Sequence, residues 1–444
     1  MKHPWILKLL ALAAVLLLLL WALAQVGGVV AEREARLREA QAGVANSLAG
    51  PQMLAGPILQ RLCTETWETV QGTGRDRTRV AEKREFTLKS TPGTLGVDAR
   101  ATMEPRHRGI FRVQGYALRA TLTAQWADLA ALQPVREHPG SQLACAVPTL
   151  GVEVADARGI RSARVQARGI ELAVAPGGLR AEPAQGFHAS LKPLWPQAEV
   201  PATSPLQVLV TLDLAGSQQL AFAPVGEQTQ VRLSSDWPHP SFSGRFAPIH
   251  QKVDEQGFDA SWQVSALAST AARDLRAGAA EVQSFSVGFI DPVNAYVLSD
   301  RATKYGLLFI VLTFVAVGLV EVLRRLRVHP VQYLLVGSAL TVFFLLLVSL
   351  SEHLPFNVSY LAASAACTLL LAYYGSHVLG GWRAGAGFGA ALGLLYGALY
   401  VLLQLEQKAL VLGSVLLFVV LAAVMVATRK LDWYGLAGQW RTAG

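Results

Sequence analysis

The chain has 444 residues, of which 52% are hydrophobic and only 16% are charged. Soluble domains carry about a quarter charged residues, so this composition excludes a wholly soluble protein. The net charge of +8 raises the question of nucleic-acid binding, but the basic residues form no stripe with interleaved aromatic side chains. Much of the basic excess lies beside apolar segments, as is usual for residues that orient membrane spans. We therefore expect no nucleic-acid partner.

Apolar residues are concentrated at the two ends of the chain. This distribution predicts three parts: an N-terminal transmembrane anchor over 1–30, a soluble domain over 31–304, and a block of five transmembrane helices with a tail over 305–444. The middle part is long enough to bury a substantial core of its own. The fold class predicted is an α+β membrane protein with six transmembrane helices.

The first apolar segment runs from Ile6 to Val30 and exceeds the about 20 residues that a span needs. Ala22-Leu23-Ala24 is similar to a signal-peptidase site, so a cleaved signal peptide is the rival interpretation. The apolar run continues past that site, which favours an uncleaved anchor. Helix-forming residues with opposite charges at helical spacing follow, and they predict a helical stalk over about 31–48. Gly50-Pro51 and Gly56-Pro57 are expected to end it.

Five further segments are long and apolar enough to cross a membrane. They are Tyr305–Val322, Gln332–Ser351, Phe356–Val378, Ala384–Leu403 and Ala409–Thr428. Lysine and arginine are enriched in cytoplasmic loops. If the N-terminus is cytoplasmic, most of the basic residues beside the spans also fall on the cytoplasmic side. They are Lys2, Lys8, Arg324, Arg325, Arg327, Arg383, Arg429, Lys430 and Arg441. This pattern predicts that both termini are cytoplasmic and that the domain over 31–304 is extracytoplasmic.

The middle domain shows the alternation typical of half-buried strands. Residues 207–214 show a period of two, and 111–123, 151–154, 229–233 and 261–265 are similar. Turns containing glycine and proline separate these segments. The pattern predicts a β-rich domain, either a sandwich or a large twisted antiparallel sheet.

Two of the three cysteines, Cys63 and Cys145, lie in this domain, whereas Cys367 lies in an apolar segment. An extracytoplasmic domain would be in an oxidising compartment. A disulfide between Cys63 and Cys145 and two separate buried thiols are both open at this point, because sequence does not provide the Cα separation that a disulfide needs. No spacing of cysteine or histidine predicts a metal site, and no motif predicts a cofactor.

The segment 235–244 combines two aromatic residues, two prolines, a histidine and an aspartate. Asp236 and His239 are candidates for a base and the group that orients it. The alternative, which we favour, is a rigid loop whose aromatic side chains close one edge of the core and whose prolines prevent pairing at a sheet edge.

Glu352 and His353 end the third span on the outer side, and Glu406 follows the fifth span on the same side. A carboxylate and an imidazole at this boundary can relay protons or bind an ion, or can simply mark the interface and the helix end. Convergence of all three would indicate a lipid- or peptide-handling transporter or a membrane enzyme.

Glu321 ends the second span and is expected to pair with Arg324 and Arg325, three and four residues later. All these polar groups lie at span ends, not at the membrane midplane. This placement argues against a transporter with a central ion site.

The fifth span carries a glycine at every fourth position: Gly381, Gly385, Gly389, Gly393 and Gly397. This spacing places the glycines on one ridge of a helix, where a second helix can approach closely. We favour a partner helix in the same chain over one in another copy.

Several motifs are similar to those of a known family. In the C-terminal block they are Arg327–Gly337, Ser349–His353, Tyr400–Glu406, Leu412–Ser414 and Asp432–Tyr434. In the middle domain they are Glu32-Arg33, Gly56-Pro57, Arg108–Phe111 and Ser235–Phe242. Over nearly its whole length the chain resembles the CreD family of bacterial inner-membrane proteins.

The resemblance implies an inner-membrane location and a link to cell-envelope integrity. It further implies an association with tolerance to colicins and with a two-component system that responds to envelope stress and β-lactams. It supplies no catalytic residues. We expect a non-enzymatic envelope protein without a cofactor, whose periplasmic domain binds or senses an envelope component, and whose partners are membrane lipids and an envelope component or another membrane protein.

Overall fold

A computed structural model describes residues 4–47, 49–71, 78–109, 111–178, 185–289, 295–323, 326, 328–405 and 409–429. The chain divides into two compact units. The helical unit contains Met1–Arg38 and Val293–Gly444, and the β unit contains Glu39–Pro292. The β-rich part is thus inserted in the sequence between the first helix and the remaining helices.

The first helix, α1 (Pro4–Ser47), has 44 residues and is about 66 Å long at 1.5 Å per residue. This continuous helix contains both the predicted anchor and the predicted stalk. An ion pair of 2.6 Å between Glu32 and Arg36, one turn apart, supports its exposed surface. The second predicted helix stop is wrong: Gly56-Pro57 lies inside a strand, where the pairing register shifts between Ala55 and Ile58.

The β unit contains two large sheets and a small hairpin. A nine-stranded sheet is formed by β1 (Gln52–Gln71), β2 (Thr78–Ser90), β7 (Gln142–Cys145), β8 (Thr149–Val154), β11 (Val174–Pro176), β12 (Gly186–Ser190), β14 (Gln219–Phe222), β16 (Ser241–Gly244) and β19 (Phe285–Gly288). An eight-stranded sheet is formed by β3 (Thr94–Met103), β6 (Gly115–Trp126), β9 (Ile160–Ala167), β10 (Ile170–Leu172), β13 (Leu206–Ser217), β15 (Gln228–Ser235), β17 (His250–Asp254) and β18 (Gly257–Ser265). The hairpin pairs β4 (Arg106–Arg108) with β5 (Phe111–Val113), and one short helix, α2, covers Ala271–Ala277.

Strand order in the first sheet is β11-β12-β8-β1-β14-β19-β16, with β2 and β7 also paired to β1. In the second sheet it is β10-β9-β13-β6-β3-β15-β18-β17. Most pairs are antiparallel, but β1 with β14 and β3 with β15 are parallel. One hydrophobic core takes side chains from both sheets, including Ile58 of β1 and Leu122 of β6. The alternation predicted at 207–214 is confirmed, because β13 buries Val208, Val210, Leu212 and Leu214.

The helical unit continues with α3 (Ala295–Lys304), α4 (Gly306–Leu323), α5 (Pro330–Ser351), α6 (Phe356–Val378), α7 (Trp382–Gln404) and α8 (Ala409–Thr428). By length and composition, four helices of the described chain can cross a membrane, namely α1, α5, α6 and α7. The pair α3 and α4, bent by 43°, would be a fifth span, and Val411–Val426 in α8 is a shorter apolar helix.

The first helix is part of the helical unit's core. Leu19 and Leu23 of α1 are 2% and 7% exposed and belong to the same cluster as Phe343 and Leu399. Two glycines accommodate these leucines, since a Cβ at Gly337 would meet Leu19 and a Cβ at Gly306 would meet Leu23. Removal of α1 would therefore leave an apolar groove in this unit.

Candidate functional site

The segment 235–244 is not a loop throughout, because Ser241–Gly244 form β16 and pair with β19. Its aromatic side chains pack onto the core of the β unit. Trp237 is 8% exposed, and its Nε1 donates a hydrogen bond of 2.8 Å to the carbonyl oxygen of His239. The ring of Phe242 meets the rings of Phe258 and Trp262 edge-on. These contacts make the segment rigid and fill the edge of the core.

Asp236 and His239 do not form the base and orienter pair that the sequence suggested. Asp236 Oδ1 accepts a hydrogen bond of 2.9 Å from the backbone N–H of Met103, at the end of β3. His239 is exposed, and its ring lies edge-on to that of Trp237. The carboxylate thus closes a strand end and does not orient the imidazole.

Sequence reasoning missed a polar cluster around Glu65 of β1. We call it the Glu65 cluster, and it contains Glu65, Arg84, Glu137, His138 and Ser141. Glu65 is fully buried. Its Oε1 accepts hydrogen bonds from the backbone N–H groups of Glu137 and His138, both at 3.0 Å, and from the Ser141 hydroxyl at 2.6 Å. One carboxylate oxygen therefore holds the segment between β6 and β7 against β1.

The second oxygen of Glu65 faces an arginine and a histidine at longer range. Glu65 Oε2 lies 3.9 Å from Arg84 Nη2 and 3.8 Å from His138 Nδ1. Within the described chain, Glu65 Oε2, Arg84 Nε and His138 Nδ1 have no hydrogen-bond partner. The His138 ring stacks on Trp67 at 3.8 Å between centroids. The Ser141 hydroxyl and the His138 backbone N–H hold the pKa of Glu65 below its ordinary value, against the opposing effect of burial.

A single acid in the alternating stretch around residue 65 carries no signal that distinguishes it from a solvated strand residue, which is why the sequence did not reveal this cluster. The cluster can hold a negative charge inside the β unit and couple it to a histidine and an arginine. In the described part of the chain, no three His, Cys, Asp or Glu side chains are grouped as metal ligands.

Cys63 and Cys145 lie beside this cluster. The two residues face each other in the register of β1 and β7, and the structure joins them by a disulfide that closes a loop of 82 residues. Glu65 pairs with Leu143 in the same ladder. The disulfide and the carboxylate thus attach the same segment to β1 by two different means.

At the end of α5, Glu352 has a charged partner that the sequence did not indicate. Its Oε1 lies 3.1 Å from Arg33 Nε of α1, and the two side chains are 11% and 35% exposed. His353 is exposed. Glu406 lies outside the described residues, so the cluster of Glu352, His353 and Glu406 stays a prediction.

Glu321 is a buried acid at the end of α4, 5% exposed. Lys8 of α1 forms an ion pair with it, the Tyr333 hydroxyl donates to its Oε2 at 2.9 Å, and the Val328 N–H donates to its Oε1 at 3.3 Å. The sequence pointed instead to two arginines after α4, and both lie outside the described residues. Lys8, 313 positions away, was not identifiable from helical spacing.

The glycine ridge is divided by the structure. Gly381 precedes α7 and is its N-cap residue, so it is not part of the helix. A Cβ at Gly385 would lie 2.6 Å from the Ala372 carbonyl oxygen and from Ser376 of α6, and one at Gly389 would lie 2.7 Å from Ala372 Cβ. These two glycines therefore allow α6 of the same chain to approach closely. Gly393 and Gly397 have no described atom within 4 Å of an added Cβ.

Comparison with known proteins gives a match over nearly the whole chain. The family model described as "Inner membrane protein CreD" matches residues 4–434. Inner membrane protein CreD of Escherichia coli (strain K12) is 36% identical over 442 residues, which cover 98% of this chain and 95% of that protein. The chain belongs to the CreD family.

Solved structures similar to this chain include the M1 zinc metallopeptidase of Deinococcus radiodurans. Its TM-score is 0.22 with 10% identity, over 44% of this chain and 42% of the enzyme. A mutant of that enzyme bound to a peptide substrate aligns with a TM-score of 0.23 and 11% identity over the same shares. Alignments at these TM-scores carry no argument about the fold or the activity of this CreD family chain.

Two of the segments that predicted membership in the CreD family meet in the structure. Arg33 belongs to one and Glu352 to the other, and they form the ion pair between α1 and α5. His329 of a third segment is the N-cap of α5, where its side chain and that of Gln332 form a capping box around the first turn of the helix. The family prediction from motifs is confirmed, and these motif residues stabilise the helical unit.

Proposed function

We propose that this chain is an inner-membrane protein that supports the integrity of the bacterial cell envelope. In this proposal the β unit lies in the periplasm and binds or senses an envelope component, and it catalyses no reaction. The helical unit anchors it and passes any signal to a partner. Membership in a family of inner-membrane proteins supports the location.

The observation that carries the proposal is the disulfide between Cys63 and Cys145 in the β unit. Disulfides persist in the periplasm and are reduced in the cytosol. A β unit held together by a disulfide is therefore suited to the outer side of the membrane. An extracytoplasmic unit of this size, with both ends joined to membrane helices, is suited to contact envelope material.

The proposed topology has six spans, formed by α1 and α4 to α8, with both termini in the cytoplasm. The distribution of arginine and lysine supports it, because the segments that fall inside carry Arg383 and Arg429 in addition to the basic residues near α4. The turn after α5 falls outside and holds Glu352. The predicted connections on the cytoplasmic side are short, so a signal would have to reach a separate protein.

Topology is tested by single cysteines labelled in intact cells with a membrane-impermeant maleimide. The native background suits this test, because Cys63 and Cys145 are joined and Cys367 is buried. Gln256→Cys, in the turn between β17 and β18, is expected to label before lysis. Arg383→Cys is expected to label only after lysis, and the reverse result would overturn the orientation.

Binding is tested with the full-length protein in nanodiscs. We expect it to co-sediment with peptidoglycan sacculi or to be captured with envelope material by a photocrosslinking amino acid at His239 in living cells. The same amino acid at Gln256, in a different turn of the β unit, is the matched control. If neither sacculi nor any envelope fraction retains the protein, and crosslinking at both positions is equal, the binding role is rejected.

A further inference from the structure

The open half of the glycine ridge lies in a groove between α6 and α7. The groove encloses about 600 Å³, within the range of small-molecule sites in proteins. Its walls include Asn357, Leu361 and Ser364 of α6 and Gly393 and Gly397 of α7. Because the glycines have no side chains, the α7 wall is recessed where α6 no longer fills it.

The wall of the groove is mostly apolar, which favours an apolar occupant. Both helices are long and apolar enough to cross a membrane. The Ser364 hydroxyl donates to the carbonyl oxygen of Leu361 in its own helix, so it needs no hydrogen-bond partner from an occupant. Where α6 and α7 cross the bilayer, a groove between them opens to hydrocarbon, and an acyl chain can enter it.

The length of the groove matches one leaflet. Its α6 wall extends from Asn357, in the first turn, to Thr368 near the middle of the helix. Eleven residues of helix rise about 16 Å. This is half of the about 30 Å of hydrocarbon in a bilayer.

We propose that this groove binds one acyl chain of a phospholipid from the leaflet on the side of the α5–α6 turn. The chain end would lie against Gly393 and Thr368, and the glycerol region near Asn357 and Tyr400, where a polar and an amphipathic side chain mark the groove's mouth. The proposal goes beyond the proposed function, which assigns binding to the β unit, because it places a lipid site in the helical unit. It rests on that function only in taking this leaflet as the outer one.

A helix from a second copy fits the groove less well than an acyl chain. Close helix pairing uses small residues spaced along a continuous interface. Here Ala372 and Ser376 of α6 already occupy the ridge at Gly385 and Gly389. Only one turn of the ridge, from Gly393 to Gly397, is left for a partner.

The test uses the full-length protein in vesicles of phosphatidylethanolamine and phosphatidylglycerol. A phosphatidylethanolamine probe carries a photoactivatable diazirine in its acyl chain, and labelled peptides are mapped by mass spectrometry. We expect labelling concentrated on the groove walls of α6 and α7. In the Gly393→Leu/Gly397→Leu variant, whose side chains fill the recess, groove labelling should fall roughly tenfold.

Gly387→Leu is the matched control, because Gly387 is an exposed glycine of the same helix and is not a wall residue. Ala365→Phe fills the groove from the α6 wall and provides a second variant if the double leucine variant does not fold. Folding is checked by size exclusion and thermal melting. Retention of the wild-type protein on sacculi is measured in parallel. No retention together with normal lipid labelling of the groove would reject the binding role of the β unit and leave the lipid proposal standing.

Two results would overturn the acyl-chain proposal. The first is labelling spread evenly over the lipid-facing surfaces and unchanged in the filled variants, which would show annular lipid only. The second is an efficient intermolecular disulfide in Gly393→Cys together with the absence of groove labelling in the wild type, which would show that a second copy occupies the groove.

Discussion

The Glu65 carboxylate and the Ser141 hydroxyl lie 2.6 Å apart in the buried interior of the β unit. The two residues are 76 positions apart and join β1 to the segment that precedes β7. Charge-assisted hydrogen bonds of this kind are stronger than neutral ones. Removal of the carboxylate would leave three donors without an acceptor, and unpaired buried donors destabilise a fold.

Glu65→Ala is therefore expected to lower the melting temperature of the β unit by roughly 5 °C or more. The measurement is a thermal melt of the full-length protein in detergent. Glu68→Ala is the matched control on the same strand. Its side chain is 66% exposed in a surface ion pair with Arg79, and such pairs contribute little. Equal melting temperatures for the two variants would contradict the stabilising role of Glu65.

The lowered pKa of Glu65 predicts a dependence of stability on pH. Because the folded-state pKa is below the unfolded value of about 4.3, the contribution is complete above that value and is lost as the pH falls through the folded pKa. The difference in melting temperature between wild type and Glu65→Gln should therefore shrink as the pH decreases below about 4. A difference that grows on acidification would contradict the assignment.

The disulfide should stabilise the β unit and be present in cells. For a loop of 82 residues, loss of the cross-link in Cys63→Ser/Cys145→Ser is expected to cost about 4.5 kcal/mol in the chain-entropy model. Alkylation of the wild-type protein taken from cells, with and without prior reduction, measures the pairing. Two thiols that alkylate fully without reduction would show that the pair is not oxidised in the cell.

The contributions of Lys8 and Glu321 to stability should be coupled, because the two side chains form an ion pair. Glu321→Ala leaves Lys8 and the Tyr333 hydroxyl without a partner, and we expect a loss of about 3 kcal/mol of stability. Lys8→Ala/Glu321→Ala should lose less than the sum of the single variants. The comparison variant is Lys304→Ala, in an exposed pair with Asp300, which should have almost no effect. Additive losses in the double variant would rule out coupling.

A glycine on the ridge and one outside it, two residues apart in α7, should respond in opposite ways to substitution. Gly385→Ala would place a methyl group 2.6 Å from the backbone of α6, and the overpacking should cost about 1–3 kcal/mol. Gly387→Ala points to open space and should be neutral or slightly stabilising, because alanine favours a helix over glycine. The test compares the melting temperatures of both variants with that of the wild type in detergent. If both are neutral, α6 and α7 do not approach at this ridge.

Local patterns in the sequence account for much of the fold. Continuous apolar runs predicted the helices that can span a membrane, and alternation at 207–214 predicted β13 with its buried face. Motifs predicted the family. These features depend on neighbours within a few residues, since helical and strand periodicities are local properties of the chain.

The partners of individual side chains were decided only by tertiary structure. Glu65 meets Ser141, Glu321 meets Lys8, and Asp236 meets Met103 instead of His239. The sequence predicted the glycine ridge as a packing surface, but α6 fills one half of it and leaves the other half as a groove. The physical reason is the same in each case: strand register and helix packing bring distant residues together through the burial of the whole core, and no short-range spacing encodes which residues then face each other.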